Sequence, residues 1–205
     1  MLPVAPVVLR GSRVELAPLS LEHVEPLMAA AAARASYRWT FVPDGADAMR
    51  AYVEEALADA AAGRALPFVQ MAGGQVVGST RFGNLERWRA PGWPSRPAGC
   101  IDAVEIGWTW LAEQAQRTAI NSEAKRLLLG HAFESWEVRR VTLKTDARNA
   151  RSRAAIERLG ARLDGILRAH LPASDGTERD SAVYSILAAE WPGVRARLDS
   201  FLARR

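Results

Sequence analysis

The sequence predicts one α/β domain in which helices cover the faces of a mixed sheet. The chain has 205 residues, the size of one ordinary domain rather than two. Strand-like and helix-like segments follow one another in the order β-α-α-β-β-β-α-β-α-β-β-α, which is typical of a sheet with helices on its faces. No repeat or low-complexity linker divides this series. Residues 1–205 are therefore predicted to form a single domain.

Apolar–polar alternation and turn residues predict seven strands, at 13–19, 66–72, 76–85, 103–111, 141–145, 162–171 and 181–187. Hairpin turns are expected at Gly73-Gly74 and Asp175-Gly176. Capping residues and helical composition predict five helices, at 21–33, 47–62, 121–136, 150–159 and 191–205, with Ser20 and Asp47 capping the first two. Residues 86–99 are rich in Pro, Gly and Trp and predict a long functional or partner-facing loop.

Composition excludes several classes of protein. Cys100 is the only cysteine, and the three histidines show no metal-ligand spacing, so neither a disulfide framework nor a metal site is predicted. No run of about 18 apolar residues is present, and the first residues lack the pattern of a secretory signal. A cytoplasmic protein with no membrane partner is expected. The net charge of +4 is dispersed, which disfavours a specific nucleic-acid partner.

The segment from Val104 to Lys125 is the most informative part of the chain. A buried strand leads through a short polar loop into a helix that begins near Asn121. The amides at a helix start lack partners within the helix and lie at the positive end of its dipole, so they favour phosphate. Arg117 would add a charged donor. Strand–loop–helix units of this kind are common, so the pattern alone is only weakly specific.

The same segment resembles the acyl-CoA-binding signature of the GCN5-related N-acetyltransferase (GNAT) superfamily. In that family a loop Q/R-x-x-G-x-G/A holds the CoA pyrophosphate; Gln116-Arg-Thr-Ala-Ile-Asn121 matches its first residue and has Ala119 and Asn121 at the two small positions. The flanking residues resemble the branch of ribosomal-protein alanine and serine N-acetyltransferases. The resemblance implies that acetyl-CoA is the acyl donor. It also implies that Trp110, Leu111, Gln116, Arg117, Thr118, Ala119, Ile120 and Asn121 bind it.

A second block, Thr145-Asp-Ala-Arg-Asn149-Ala-Arg-Ser152, is similar to the family's strand followed by N-x-x-S/A and a helix. Through the resemblance, Asn149 and Ser152 are expected to contact the pantetheine arm of CoA. The resemblance covers about residues 10–188. It implies a mostly antiparallel sheet, with helices on both faces and a splay between the fourth and fifth predicted strands.

Acyl transfer to an amine needs a base, because an α-amine has a pKa of about 8 and a lysine amine about 10.4. Glu105 is the candidate, acting through a water; the alternative is a Glu at the sheet surface or paired with Arg. Alternation in the strand places Val104, Ile106, Trp108 and Trp110 on one face and Glu105 on the other. The related enzymes read E-I-G-Y-W-L, and Glu105-Ile-Gly-Trp-Thr-Trp-Leu111 is one residue longer, which a β-bulge could absorb.

The resemblance makes Ser152 the candidate acid for the departing thiolate. Many relatives use a Tyr one turn further along that helix, and Ile156 occupies its place here. A first-turn hydroxyl that bonds its own backbone is the alternative for Ser152. Asn149 could be a helix N-cap as well as a CoA contact.

The acceptor is expected to bind near Trp39, Phe41, Arg81 and Asn84, with residues 86–99 as a lid or as a subunit interface. Core packing is the alternative for Trp39 and Phe41, whereas Trp88 and Trp93 are expected to be exposed. The predicted function is transfer of acetyl from acetyl-CoA to a primary amine on a protein N-terminus or a small molecule, by a monomer or homodimer. A succinyl or other acyl donor, or a non-catalytic CoA-binding regulator, are the alternatives.

Overall fold

The computed structural model describes residues 4–92, 96–97 and 99–204. Within them the chain forms one eight-stranded sheet in the order β1-β2-β3-β4-β5-β6-β8-β7. The strands are β1 (Leu9–Arg10), β2 (Glu15–Pro18), β3 (Leu66–Ala72), β4 (Gln75–Glu86), β5 (Ala103–Leu111), β6 (Arg140–Asp146), β7 (Arg162–Pro172) and β8 (Glu178–Leu187). The helices are α1 (Val24–Ala30), α2 (Ala46–Ala61), α3 (Ile120–Gly130), α4 (Ala150–Leu159) and α5 (Trp191–Ala203). No helix in the described ranges is long and apolar enough to cross a membrane.

The sheet is antiparallel except where β5 meets β6. These two strands run parallel and pair through only three residues of each, from Ala103↔Arg140 to Glu105↔Thr142. Beyond Glu105, β5 remains bonded to β4, and beyond Thr142, β6 remains bonded to β8. The two strands therefore diverge toward their carboxyl ends, and a gap opens between them. The expected mixed, mostly antiparallel sheet and its splay are confirmed.

Helices cover both faces of the sheet, as predicted. The larger core lies between the sheet and α3, α4 and α5, and includes Phe82, Val104, Leu128 and Tyr184. The second core lies on the opposite face beneath α1 and α2, and includes Leu27, Met49, Val53 and Trp110. The α1 and α2 layer covers the half of the sheet that contains β3 to β5.

Several predicted element boundaries are wrong. The helix expected at 21–33 is a short 3-10 turn, Leu21–His23, followed by α1, and β1 is a strand of only two residues that alternation could not reveal. The second helix begins at Ala46 after Gly45, whose φ of +83° is open to glycine, so Asp47 lies within the first turn. The helix expected at 121–136 is α3 followed by one π-helical turn, His131–Ser135.

The β-bulge in β5 is confirmed, and it corrects the predicted faces of this strand. Ser79 pairs with Trp110 and Arg81 with Gly107, so β5 carries one more residue than β4 between the same two pairs. Trp108 has a φ of +50° at this point. Its ring lies over Gly83, the partner of Glu105, and Trp110 is buried in the α1/α2 core. Both tryptophans are therefore on the face of Glu105, because the extra residue reverses the alternation after Gly107.

Candidate functional site

The loop that joins β5 to α3 forms one wall of a cavity of about 550 Å³. The opposite walls come from residues 35–40 and from the first residues of α4. Four arginines line the cavity, Arg38, Arg117, Arg148 and Arg151, against one acidic residue, Glu113. We call this space the arginine-lined cavity. Its charge suits a polyanionic ligand, and the phosphates of CoA fit that requirement.

Gln116 fixes the shape of the loop. Its Nε2 donates to the carbonyl of Leu111 at 2.9 Å and to Ser36 Oγ at 3.2 Å, and its Oε1 accepts from Arg151 at 3.0 Å. The side chain thus connects β5, residues 35–40 and α4, the three walls of the cavity. Gln116 also lines the cavity, and its contact with CoA stays a prediction.

The rest of the loop leads into α3 through a tight turn. Arg117 has a φ of +61°, an uncommon conformation for a residue with a side chain, and Thr118 Oγ1 donates to the carbonyl of Ala115 at 2.7 Å. The same hydroxyl accepts from the amide of Ile120 at 3.2 Å. Ala119 is the N-cap and Ile120 the first residue of the helix, one residue before the predicted start.

Asn149 and Ser152 meet at the start of α4. Asn149 Oδ1 accepts from the amide of Ser152 at 3.0 Å, so Asn149 is the helix N-cap, and it also lines the arginine-lined cavity. Ser152 is not among the residues that line it. Ile156 packs in the main core, so this helix presents an apolar side chain where many relatives present a Tyr.

Glu105 lies in the gap between β5 and β6, at the last pair that joins the two strands. Lys144 Nζ is 2.8 Å from its Oε2, and Asn84 Nδ2 donates to the same oxygen at 2.7 Å. The structure records no hydrogen bond to Oε1 from any described residue. The carboxylate is buried. It is held in one orientation by a cation and an amide, with its second oxygen available to a ligand or a water. We call this gap the Glu105 cleft.

Three further side chains of the Glu105 cleft were missed by sequence reasoning. His170 Nδ1 and Ser181 Oγ are 3.0 Å apart, and Arg179 Nε donates to the same hydroxyl at 3.0 Å. Burial lowers the pKa of His170, and the charges of Lys144 and Arg179 lower it further against the opposing effect of Glu105. The imidazole is therefore neutral at pH 7. The one sequence signal for this group is that Arg179 and Ser181 lie two residues apart in β8 and so share a face of the strand.

The expected acceptor residues separate into different environments. Asn84 is in the Glu105 cleft, but Arg81 is buried, with its guanidinium 4.7 Å from the centre of the Trp108 ring. Trp39 lines the arginine-lined cavity, with the guanidinium groups of Arg38 and Arg148 at 4.7 Å and 4.3 Å from its ring centre. Phe41 is 76% exposed. The structure thus contradicts an accessible acceptor role for Arg81, and it contradicts core packing for Trp39 and Phe41.

The loop at 86–99 returns to the sheet at Asp102. The amide of Trp88 donates to Asp102 Oδ2 at 2.9 Å, and the Trp88 ring is part-exposed, as predicted. Trp93 lies outside the described residues. A role for this loop as an acceptor lid or an interface stays a prediction.

Lys125 connects α3 to the bulged part of β5. It is buried, and its Nζ donates to Thr109 Oγ1 at 2.7 Å. No carboxylate of a described residue pairs with it, and burial lowers its pKa to about 7. A lysine without a countercharge inside the protein is costly to protonate. The helix that begins at the arginine-lined cavity is thus joined to β5 by an amine that holds its proton far less tightly than an ordinary lysine.

Comparison with known proteins agrees with this geometry. Residues 13–162 match the family model of the acetyltransferase (GNAT) domain. Over 90 residues, 44% of this chain and 48% of the relative, the chain is 37% identical to YdaF of Bacillus subtilis strain 168, which is named as a candidate ribosomal N-acetyltransferase. The matched region thus spans about half the length of that relative.

Two solved structures extend the comparison to nearly the whole fold. A candidate acetyltransferase from T. thermophilus is 33% identical, with a TM-score of 0.79 over 98% of this chain and all of the other. RimL, a ribosomal L7/L12 alpha-N-protein acetyltransferase in complex with coenzyme A, is 20% identical, with a TM-score of 0.72 over 88% of this chain and 98% of that one, and shows the fold alone. The chain therefore belongs to the family of GNAT acetyltransferases.

Proposed function

We propose that this protein transfers an acetyl group from acetyl-CoA to a primary amine by direct attack of the amine, with no covalent intermediate on the enzyme. One observation carries the proposal. A buried, oriented carboxylate, Glu105, lies in the gap between β5 and β6, and the arginine-lined cavity adjoins the carboxyl end of β5. The proposal places the phosphates of the donor in this cavity and the proton acceptor in the gap between the splayed strands.

The arginine-lined cavity would hold the donor. Arg117 and the first amides of α3 suit the pyrophosphate, and Arg38, Arg148 and Arg151 supply further positive charge. Asn149 would meet the pantetheine arm where that arm leaves the cavity. Acetyl-CoA itself supplies the activated acetyl thioester.

Glu105 would take the proton from the attacking amine. An aliphatic amine is mostly protonated at neutral pH, so it must lose a proton before it attacks. Lys144 and Asn84 engage Oε2 and hold the carboxylate, which leaves Oε1 to accept the proton directly or through a water. Ser152 is the candidate donor of a proton to the departing thiolate. A neutral His170 is a second candidate base in the same cleft.

The acceptor class is a primary amine, either a protein N-terminus or a small molecule. The ribosomal N-acetyltransferase name of the Bacillus relative supports a protein N-terminus. The core beneath α1 and α2 contains no residue of β6, β7 or β8, so these helices do not pack on that part of the sheet.

Release of CoA thiol in the presence of an amine panel tests the proposal. The panel contains peptides with free N-termini, the same peptides with blocked N-termini, and small amines; mass spectrometry locates the added acetyl group. We expect thiol release with free amines only, and stabilisation of the protein by acetyl-CoA. A protein that neither releases thiol above the amine-free rate nor gains stability from millimolar acetyl-CoA does not have this function.

A further inference from the structure

Arg179 is a charged side chain of the Glu105 cleft that lacks an ionic partner. The structure records one contact of its guanidinium, from Nε to Ser181 Oγ. Across the described parts of the chain, no carboxylate lies within ion-pairing distance of it. The side chain is part-buried, and burial lowers its pKa. Such an arginine keeps its charge, and most of its five donors remain available.

Two carboxylates lie near enough to Arg179 for their charges to act on it, and both are already paired with other cations. Asp146 and Glu105 both act on Arg179 through their charge. Asp146 is held by Arg148, with Nε 3.0 Å from Oδ1 and Nη2 2.7 Å from Oδ2. Glu105 is held by Lys144. Arg179 is therefore the cation of this cluster that the protein itself does not neutralise.

Its position separates Arg179 from the donor site. It does not line the arginine-lined cavity, and it shares the hydroxyl of Ser181 with His170 of β7. Ser181 pairs with Asp146 across β6 and β8, so this group lies on the far side of the gap from β5. The carboxylate of Glu105 acts on Arg179 through its charge, so the two groups are neighbours in the Glu105 cleft.

We propose that Arg179 binds a carboxylate of the acceptor, so that the preferred substrates are amines that carry a carboxylate a short distance from the reacting nitrogen. This inference rests on the proposed function. A guanidinium matches a carboxylate with two parallel hydrogen bonds, and a part-buried site strengthens both. The carboxylate can be the α-carboxylate of a free amino acid or an acidic side chain next to a peptide N-terminus, since the chemistry is the same.

Matched acceptors test the proposal and separate the two sources. Alanine is compared with alaninamide, and the peptide Ala-Asp-amide with Ala-Asn-amide, each with saturating acetyl-CoA. We expect kcat/KM to be about tenfold to a hundredfold higher for the carboxylate member of at least one pair, the size of one charged hydrogen-bond contact. The pair that shows the preference identifies the source.

The variant Arg179→Met should remove that preference while the KM for acetyl-CoA stays unchanged. Arg162→Met is the matched control, since this exposed arginine lies on the same hairpin, is paired with Glu190 and should leave both values as they were. Binding of the N-acetylated products in the presence of CoA, measured by calorimetry, gives a readout that does not need turnover.

The outcomes distinguish this inference from the proposed function. Acetylation of both members of each pair at equal rates overturns the carboxylate site and leaves the acetyltransferase intact. Preferential binding of the carboxylate products without any acetylation supports the site and counts against the proposed reaction. An unchanged preference in Arg179→Met, or absence of both acetylation and product binding, overturns the inference.

Discussion

The arginine-lined cavity and the Glu105 cleft differ in how the chain builds them. The cavity comes mainly from continuous segments, residues 35–40, 113–117 and 148–151, each a loop or the start of a helix. The cleft takes single side chains from five strands: Asn84 from β4, Glu105 from β5, Lys144 from β6, His170 from β7, and Arg179 with Ser181 from β8. Backbone amides and a cluster of arginines dominate the first site, whereas individually oriented side chains dominate the second.

This difference has a functional meaning. A site made from a loop and a helix start recognises a ligand that is the same for every turnover, and it tolerates changes in side chains that do not block the amides. A site made from single residues on separate strands can change its ligand by one substitution. We therefore expect donor binding to respond to backbone access, and acceptor choice and turnover to respond to individual side chains.

The largest expected effect is a loss of turnover, caused by a substitution in the Glu105 cleft. Glu105→Gln keeps the shape of the side chain but cannot accept the proton, so kcat should fall by about a hundredfold to ten-thousandfold at pH 7. The KM for acetyl-CoA should stay unchanged, and the defect should shrink as the pH approaches the pKa of the amine. Steady-state kinetics across pH measures this. Glu55→Gln, an exposed residue of α2, is the control; equal kcat in the Glu105 variant and the parent would make Glu105 structural.

The next largest effect is a loss of donor binding, caused by a substitution at the arginine-lined cavity. Ala119→Leu places a bulky side chain at the start of α3, where close approach of phosphate to the amides is needed, so acetyl-CoA affinity should fall by about a hundredfold. Calorimetry and thermal shift measure the loss, which should occur without unfolding. Ala58→Leu, at an exposed position of α2, should bind normally. Retained affinity in Ala119→Leu would mean that the loop is not the phosphate site.

Lys125, which connects α3 to Thr109 of β5, predicts a pH dependence of stability. Its pKa is about 7 in the fold and 10.5 ordinarily, so between these values the unfolded chain binds a proton that the folded chain does not. The free energy of unfolding should therefore rise with pH in this window, by up to about 1.4 kcal/mol per pH unit from this group. Lys125→Met should flatten the rise and stabilise the protein at pH 7. Denaturant unfolding at several pH values tests this, and parallel curves for the two proteins would show that Lys125 is not the cause.

The smallest effect is expected from Ser152, in the first turn of α4. If its hydroxyl protonates the thiolate, Ser152→Ala should lower kcat by about tenfold, since a thiolate is a good leaving group and needs only modest help. Because the N-cap bond uses the amide of Ser152, the fold should be unaffected. Ser200→Ala, at an exposed position of α5, is the control. A rate equal to the parent would leave Ser152 with no catalytic role.

More residues of the arginine-lined cavity than of the Glu105 cleft could be predicted from the sequence, and the reason is physical. Gln116 to Asn121 and Asn149 to Ser152 are local patterns, so the helix starts follow from neighbours in the chain to within about one residue, and the family resemblance of these patterns supplied the expected ligand. Lys144, His170 and Arg179 come together only because β6 pairs with both β5 and β8 and β8 pairs with β7, and a single sequence does not reveal this pairing. Arg81 was misplaced for the same reason, because its partners Tyr52, Asp59 and Trp108 are distant in the chain.

One extra residue, at the bulge of β5, decides on which face of the sheet each later side chain of the strand lies. Before Gly107 the strand sends Val104 and Ile106 into the larger core, and after Trp108 it sends Thr109 toward Lys125 and Trp110 beneath α1 and α2. Side chains of a strand alternate between the two faces, and the extra residue reverses that alternation. The same strand can therefore place different kinds of side chain against each helical layer before and after the bulge. The same residues paired without the bulge would exchange Thr109 and Trp110, placing an indole against the buried amine and a hydroxyl in an apolar core. At this position the number of residues in the strand, more than their identity, determines which side chains face each helical layer.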